Sequence, residues 1–267
     1  MTHSNAADSH PHHPRAGQDD RLKDTLARTA GELGQAAADQ VRNAADQVGR
    51  TATRAVQAVK PRLRGWIHTV TAPLSLIAGI VLVALTPAEV RWASVVFAIS
   101  GFVLFTMSAV YHRGTWSPRV TTALRKLDHS NVFLLIAGTY TPLSVVLLED
   151  PHRTVVLAIA WGGALAGILL KFVWIGAPRW LYVPIYIALG WMAVWFLPEF
   201  WKAGGAALVW LVIAGGIAYT LGAIAYAFKR PNPFPEWFGF HEIFHVGTVL
   251  GWGSHYAAVL IAVLTLA

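Results

Sequence analysis

The chain of 267 residues contains no cysteine. That absence excludes a disulfide framework, a thiolate metal site and a cysteine nucleophile. Charged residues are also scarce, because they make up 13% of the sequence where soluble domains carry roughly 25%. Apolar residues, by contrast, reach 55%. This composition indicates a membrane protein, and any metal ion in it would have to be bound by His, Asp or Glu side chains.

The formal net charge of +7 is spread unevenly along the chain. Basic residues lie in the N-terminal arm and in the short segments between apolar runs, which is the pattern of a membrane protein. A nucleic-acid-binding domain needs a basic face on a folded surface. We therefore expect no nucleic-acid partner.

Residues 1–60 form a polar arm. Its first part is rich in His and Pro and lacks the apolar core of a secretory signal peptide. This composition favours disorder; the alternative is metal capture by His3, His10, His12 and His13.

The second part of the arm, residues 21–59, is predicted to be a weakly amphipathic helix. Its Leu and Val residues recur seven or eight positions apart, and the string AADQV occurs twice. A short coiled coil, a helix on the membrane surface and a solvated helix all fit this pattern. The thin, Ala-rich stripe favours the solvated helix.

Seven long apolar runs occupy residues 61–267. A helix that spans a membrane needs roughly 20 mostly apolar residues, and the segments that qualify are 66–86, 91–111, 129–148, 154–174, 180–198, 206–228 and 242–265. The sequence therefore predicts an all-α protein in which a bundle of seven transmembrane helices follows the polar arm.

Lys and Arg residues near the span ends predict the orientation of the bundle. Eleven of them lie on the side of the N-terminus, and three, Arg91, Arg153 and Lys202, lie on the other side. We expect a multi-pass protein of the plasma membrane with a cytoplasmic N-terminus and a C-terminus outside.

Residues that could carry chemistry cluster at one membrane depth. Ser108 and His112 close the second span, Asp128 opens the third, and His241 and His245 open the seventh. The alternation of the spans places all three of these ends on the cytoplasmic side. Ionisable groups at such positions are costly and usually functional.

The spacing of these residues favours a zinc site. His241 and His245 are four residues apart and share a helix face, and His112 supplies a third nitrogen. Three protein ligands and a water are typical of catalytic zinc. Asp128 is then the candidate for accepting a proton, and Ser108 could hydrogen-bond the water or a substrate carbonyl.

Other interpretations of the string HEIFH stay open. It matches the metalloprotease motif HExxH, in which Glu242 would be the general base, but Thr248 and Gly251 occupy the downstream positions of the longer pattern. The His pair could instead be structural and hydrogen-bonded to neighbouring helices.

Two further histidines receive structural predictions. His68 lies at the same depth and either supports the site or has an interfacial structural role. His255 lies roughly 21 Å beyond His241 along the same helix, so we expect it to make a structural hydrogen bond.

Three motifs, in this order, resemble the hemolysin III proteins, the bacterial branch of the progestin and adipoQ receptor family: SAVYHRG, LRKLDHSNVFLLIAGTYTPL and HEIFHVGTVLGWGSHYAAV. The resemblance covers about residues 60–267. It implies zinc held by His112, His241 and His245, with Asp128 and Ser108 contacting the metal-bound water. It also implies that Glu242 is not a zinc ligand.

The resemblance implies a function as well. Because the wider family includes hydrolases of ceramide-like lipids, we expect a zinc-dependent hydrolase of lipid amide or ester bonds with a role in membrane-lipid homeostasis. The alternatives are a non-enzymatic membrane sensor or regulator that zinc stabilises, and a cytolysin, the activity for which the bacterial members are named.

Overall fold

The computed structural model describes residues 16–58, 61–174 and 176–265. Within these ranges the ordered elements are helices, and the only β feature is an isolated bridge between Phe234 and Phe238. The chain separates into two compact units, Met1–Val59 and Lys60–Ala267. The histidines for which metal capture was considered, His3, His10, His12 and His13, lie outside the described residues.

The first unit contains helix α1 (Ala16–Ala58) of 43 residues. The helix predicted for the second part of the arm is thus present and begins five residues earlier than expected. The Leu and Val residues of its stripe lie on the surface of this unit, because Leu26, Leu33, Val41 and Val48 are between 61% and 70% exposed.

The second unit is a bundle of helices. In chain order these are α2 (Trp66–Leu85), α3 (Arg91–Arg113), α4 (Pro118–Leu147), α5 (His152–Val173), α6 (Arg179–Gly190), a 3-10 helix (Trp191–Phe196), α7 (Leu197–Phe228) and α8 (Phe240–Leu264).

Among the described residues, six helical stretches are long and apolar enough to cross a membrane, and one of them is long enough to cross twice. Arg179–Phe228 contains 50 residues and as a straight helix would extend roughly 75 Å, more than twice the roughly 30 Å of a bilayer core. It is interrupted by the 3-10 helix and by Gly205, whose φ of 75° and ψ of 179° are not helical. Since α6 also packs against α7, the stretch folds back on itself. The predicted bundle of seven transmembrane helices is confirmed.

The helices form a closed arrangement around α4. Helices α2 to α5 pack in sequence order, α6 contacts α4, α5 and α7, and α8 packs against both α7 and α2. Helix α4 is the most enclosed, since 72% of its most apolar segment is buried compared with 28–44% in the other stretches. This packing brings the end of α3, the first half of α4 and the start of α8 to the same end of the bundle.

Helix α4 begins 11 residues before the predicted span. Ser117 caps its N-terminus, because the Ser117 hydroxyl accepts a hydrogen bond from the Val120 N–H at 3.5 Å, and Pro118 occupies the first turn, where proline is favoured. Asp128 was expected to open this helix; it lies instead in the third turn. The apolar run marks the membrane, whereas capping residues mark the helix, so the two boundaries differ.

Candidate metal centre

The last two turns of α3 carry Ser108 and His112 on one buried face. The two residues are four apart and only 2% and 6% exposed. The segment before α2 passes close to His112 at Gly65, which has a φ of 84°. A Cβ atom at this position would lie 2.7 Å from the Cβ of His112. Position 65 therefore requires glycine both for its backbone conformation and for the space that His112 occupies.

The first two turns of α8 present His241 and His245, and Glu242 between them caps the first turn. One Glu242 oxygen accepts a hydrogen bond from the Gly239 N–H at 2.9 Å, and the other pairs with the Arg64 guanidinium. Glu242 is fully buried. Because both carboxylate oxygens are engaged, Glu242 acts as a cap and an ion-pair partner, which removes the general base that the metalloprotease interpretation requires.

The segment that contains Arg64 is tied to the loop before α8 by its backbone. The N–H groups of Arg62 and Leu63 donate to the carbonyls of Glu236 and Trp237 at 2.8 and 3.2 Å. The Arg62 guanidinium also lies 4.7 Å from the centroid of the Trp237 ring, within the range of a cation–π interaction. Residues 62–64, 236–237 and Glu242 together form what we call the α8 clamp, which holds the start of α8 against the start of the bundle.

His112, His241 and His245 meet in one buried cluster. The Nε2 atoms of His112 and His241 are 3.1 Å apart, and one candidate ligand atom from each histidine lies within 4.8 Å of the others. In a tetrahedral zinc site with bonds of 2.0–2.1 Å, neighbouring nitrogens are roughly 3.3 Å apart. The cluster could therefore hold a metal ion after small side-chain adjustments.

Asp128 and Ser108 adjoin this cluster. The Asp128 Oδ2 atom lies 3.8 Å from the His112 Nε2 atom, and the Ser108 side chain hydrogen-bonds the Asp128 carboxylate. The structure thus brings together all five candidate site residues from α3, α4 and α8. Their roles as ligands and catalytic groups stay predictions.

Two contiguous cavities lie beside the cluster. The first, of about 30 Å³, is lined by Ser108, Asp128 and His241 among others. The second, of about 100 Å³, has mainly apolar walls. Both share six lining residues, Leu104, Val132, Tyr186, Ala223, Phe244 and Thr248. The site therefore has a polar end at the histidines and an apolar extension into the bundle.

His68 and His129 contact the site without belonging to the three-histidine cluster. The His68 ring stacks on His245 with centroids 3.9 Å apart, a contact that favours support of the site over the interfacial structural role that was the alternative prediction. The His129 Nε2 atom lies 3.4 Å from the Tyr226 hydroxyl of α7. Both histidines line the smaller cavity.

Sequence reasoning missed Arg64 and Tyr226 as neighbours of the site. A carboxylate within a span calls for a cation, but no local pattern identifies Arg64, which is 178 residues away from Glu242. The Tyr226 ring lies 5.5 Å from the His241 ring, and the Arg179 guanidinium lies 4.0 Å over Tyr226. One signal in the sequence could have identified Tyr226. It lies near the end of α7, and this end precedes the start of α8, where His241 lies.

Comparison of the sequence with known proteins identifies the family of this chain. A sequence profile described as "Haemolysin-III related" matches residues 56–256, a range that contains all five candidate site residues. This chain belongs to the haemolysin-III related family. The profile leaves out most of α1, so the family resemblance belongs to the helical bundle.

Individual relatives agree with this assignment. The chain is 32% identical to Hemolysin-3 of Bacillus cereus over 217 residues, which cover 79% of this chain and 96% of the relative. It is 30% identical to the Hemolysin-3 homolog of Bacillus subtilis (strain 168) over 165 residues, covering 62% and 74% of the two chains. A plant protein, the heptahelical transmembrane protein ADIPOR2 of Oryza sativa subsp. japonica, is 28% identical over 186 residues, covering 63% and 81%. The haemolysin-III related chain is thus a multi-pass membrane protein with relatives in bacteria and plants.

Proposed function

We propose that this protein is a zinc-dependent hydrolase of lipid amide or ester bonds that serves membrane-lipid homeostasis. The observation that carries the proposal is the cluster of His112, His241 and His245 beside Asp128, at the polar end of a cavity that continues into an apolar space. Structural zinc sites are closed by four protein ligands, whereas catalytic sites keep one position open. A three-histidine cluster next to a cavity favours the catalytic kind.

The donor set supports zinc as the metal. Imidazole nitrogens suit zinc among the divalent ions, and three histidines are a known ligand set for catalytic zinc. The separation of 3.1 Å between the Nε2 atoms of His112 and His241 is close to the roughly 3.3 Å that tetrahedral coordination requires. When bound there, zinc would supply a Lewis acid at the mouth of the polar cavity.

Asp128 is the residue that we assign to proton transfer. Unlike Glu242, it is not paired with a Lys or Arg side chain among the described residues, and it lines the polar cavity next to His112. Asp128 would accept a proton from the attacking water and deliver it to the leaving nitrogen or oxygen as the acyl bond breaks. Ser108 orients the carboxylate through their hydrogen bond.

The apolar cavity supports a lipid as the substrate. Its lining residues are mainly apolar, and it meets the polar cavity at six shared residues. A molecule with a carbonyl at one end and a hydrocarbon chain would place its carbonyl beside Asp128 and its chain between α4, α6, α7 and α8. Burial of the chain would also exclude water from the reacting end.

We also propose that the site and the N-terminus face the cytoplasm of a cell whose plasma membrane contains the bundle, with residues 1–60 as a cytoplasmic arm. Basic residues gather at the end of the bundle that contains the site, among them Arg64, Arg113, Lys126, Arg179 and Lys229. Such an excess is typical of cytoplasmic ends. The scissile bond would then lie at the depth of inner-leaflet headgroups.

Metal analysis and lipid hydrolysis test the proposal together. The purified protein is expected to contain about one zinc ion, as one three-histidine site implies, and His112→Ala is expected to lose both the zinc and the hydrolysis of ceramide-like amides or phospholipid esters, followed by mass spectrometry. His152→Ala is the matched control, because His152 lies at the start of α5 with its side chain 53% exposed. Hydrolysis that persists in His241→Ala would contradict the proposal.

The name of the bacterial relatives, Hemolysin-3, supports lysis as a second candidate function. Release of dye from lipid vesicles by the purified protein measures it. Equal leakage by wild-type protein and His245→Ala would support a cytolysin. Zinc retention without hydrolysis or leakage would support a zinc-stabilised sensor.

A further inference from the structure

The apolar cavity contains two polar side chains that hydrolysis does not use. Tyr219 of α7 and His255 of α8 both line it, and their ring centroids are 5.4 Å apart. The Tyr219 hydroxyl and the His255 Nδ1 atom are buried and have no hydrogen-bond partner among the described residues. His255 follows His245 by ten residues, so this pair lies roughly 15 Å along α8 from the metal cluster.

Both rings are held against the backbone of the opposite helix. A Cβ atom on Gly251 of α8 would lie 2.6 Å from the Tyr219 ring, and one on Gly215 of α7 would lie 2.3 Å from His255 Cδ2. Glycine at each position lets the ring fit between α7 and α8. Packing alone would be served by Phe, whose ring leaves no buried polar atom without a partner, a costly arrangement. The polar atoms therefore call for a ligand.

The hydrogen-bonding roles of the pair follow from the contact that His255 does make. Its Nε2 atom lies 3.1 Å from the Val212 carbonyl oxygen, which only accepts hydrogen bonds, so Nε2 carries the hydrogen. A cationic imidazole is costly inside a membrane, and in a neutral ring the Nδ1 atom is then an acceptor. The Tyr219 hydroxyl supplies a donor, so the pair offers one acceptor and one donor.

A hydroxyl group is the ligand that satisfies both atoms, because it donates and accepts at once. A carbonyl or ether oxygen could only accept from Tyr219 and would leave His255 Nδ1 without a partner. Water also donates and accepts, but an apolar cavity that offers two polar partners holds water poorly, so we expect the hydroxyl to be carried on a hydrocarbon chain.

We propose that Tyr219 and His255 form a binding subsite for a hydroxyl group on a lipid chain, at a position far from the chain's carbonyl. The inference rests on the proposed function in one respect, namely that a lipid chain occupies the apolar cavity with its carbonyl towards Asp128. The substrate class is then an amide or ester of an acid hydroxylated near the middle of its chain. A hydroxyl on the carbon next to the carbonyl would lie at the Asp128 end instead.

Displacement of a fluorescent fatty acid from the full-length protein in lipid nanodiscs tests the subsite without any hydrolysis. The competitors are octadecanoic acid and its analogues hydroxylated at carbon two or at carbon twelve. The analogue hydroxylated at carbon twelve is expected to bind about three- to tenfold more tightly than the other two, the affinity that a buried hydrogen bond contributes.

Tyr219→Phe is expected to remove this preference and to leave the affinity for octadecanoic acid unchanged within about twofold, because only the hydroxyl donor is lost. Tyr256→Phe is the matched control. Its hydroxyl donates to the Ala78 carbonyl at 2.9 Å and does not line the cavity, so this variant keeps the preference.

Equal affinity for the three acids, a preference that survives in Tyr219→Phe, or no displacement by any of them would overturn the subsite. Because the assay measures binding, its result is separate from that of the hydrolysis test. A preference found in a protein that hydrolyses no lipid would leave the subsite standing and remove the proposed enzymatic function.

Discussion

Two carboxylates stand beside the histidine cluster in contrasting surroundings. Glu242 is fully buried, with one oxygen on the Gly239 N–H and the other on Arg64. Asp128 is hydrogen-bonded to Ser108, lies 3.8 Å from His112 Nε2 and lines a cavity. A carboxylate whose oxygens are both satisfied builds structure, and one that faces a cavity is available to exchange a proton. The motif HExxH draws attention to the structural one.

Removing Glu242 is expected to have the largest effect. Glu242→Ala leaves the Arg64 charge unpaired and α8 without its cap, so we expect the free energy of unfolding to fall by about 3 kcal/mol or more. Unfolding in detergent, followed by circular dichroism, measures this change. Glu199→Ala is the control, because Glu199 pairs with His152 in a position where 36% and 53% of the two side chains are exposed, and a largely solvated pair is expected to contribute less than about 1 kcal/mol. Unchanged stability of Glu242→Ala would break the distinction between the two carboxylates.

Replacing Asp128 by Asn is expected to lower activity and to leave stability unchanged, whereas the change at Glu242 lowers stability. Asparagine keeps the shape of the side chain but cannot take up a proton, so we expect kcat to fall about a hundredfold or more. Zinc content and melting temperature are expected to stay close to those of the wild type. Metal analysis, calorimetry and hydrolysis assays on one preparation separate these effects. Full activity would remove Asp128 from proton transfer.

A smaller effect is expected from Gly65→Ala, a change at the residue that follows segment 62–64 of the α8 clamp and adjoins His112. The positive φ costs a residue with a side chain about 1 kcal/mol, and the added Cβ would lie 2.7 Å from the Cβ of His112. Displacement of His112 is expected to weaken zinc binding by roughly tenfold, measured by competition with a chelator. Gly162→Ala provides the control, because nothing lies within 4 Å of a Cβ there. Equal zinc affinity in both variants would contradict this role of Gly65.

The smallest effect is expected at a third carboxylate, Asp150, beyond the far end of α4. The Thr154 hydroxyl donates to it at 2.6 Å and lowers the pKa of Asp150 below its ordinary value. Because the folded pKa is the lower one, the stabilisation is present above the unfolded pKa and is lost as the pH falls through the folded pKa. Thr154→Val is expected to bring the pKa back towards about 4. Melting temperatures measured between neutral and acidic pH should therefore fall slightly less steeply in the variant than in the wild type.

Periodicity and spacing were enough to predict the bundle and the cluster. Apolar length identified the seven crossings, and residues four apart identified the shared faces of Ser108 with His112 and of His241 with His245. The count of membrane crossings also predicted that these faces lie at the same depth in the membrane. These features depend on local sequence and on the dimensions of a bilayer, so a single sequence contains them.

Two other contacts between distant segments were beyond the reach of the sequence. Arg64 meets Glu242 across 178 residues, and Tyr219 meets His255 only because α7 and α8 pack closely at Gly215 and Gly251. The start of α4 was misplaced for a different reason, since hydropathy marks where the membrane begins rather than where a helix does. The contacts between two helices depend on how their side chains pack, and the spacing of residues along one helix does not describe that packing.

The order of α3 and α8 along the chain has a consequence for biosynthesis. Two of the three clustered imidazoles, and Glu242 with them, belong to α8, whereas His112 belongs to α3, so the cluster cannot exist until α8 has been synthesised and inserted. A nascent protein halted after α7 would possess His112 alone. Assembly of the cluster would therefore distinguish molecules in which α8 has been inserted from molecules halted before it.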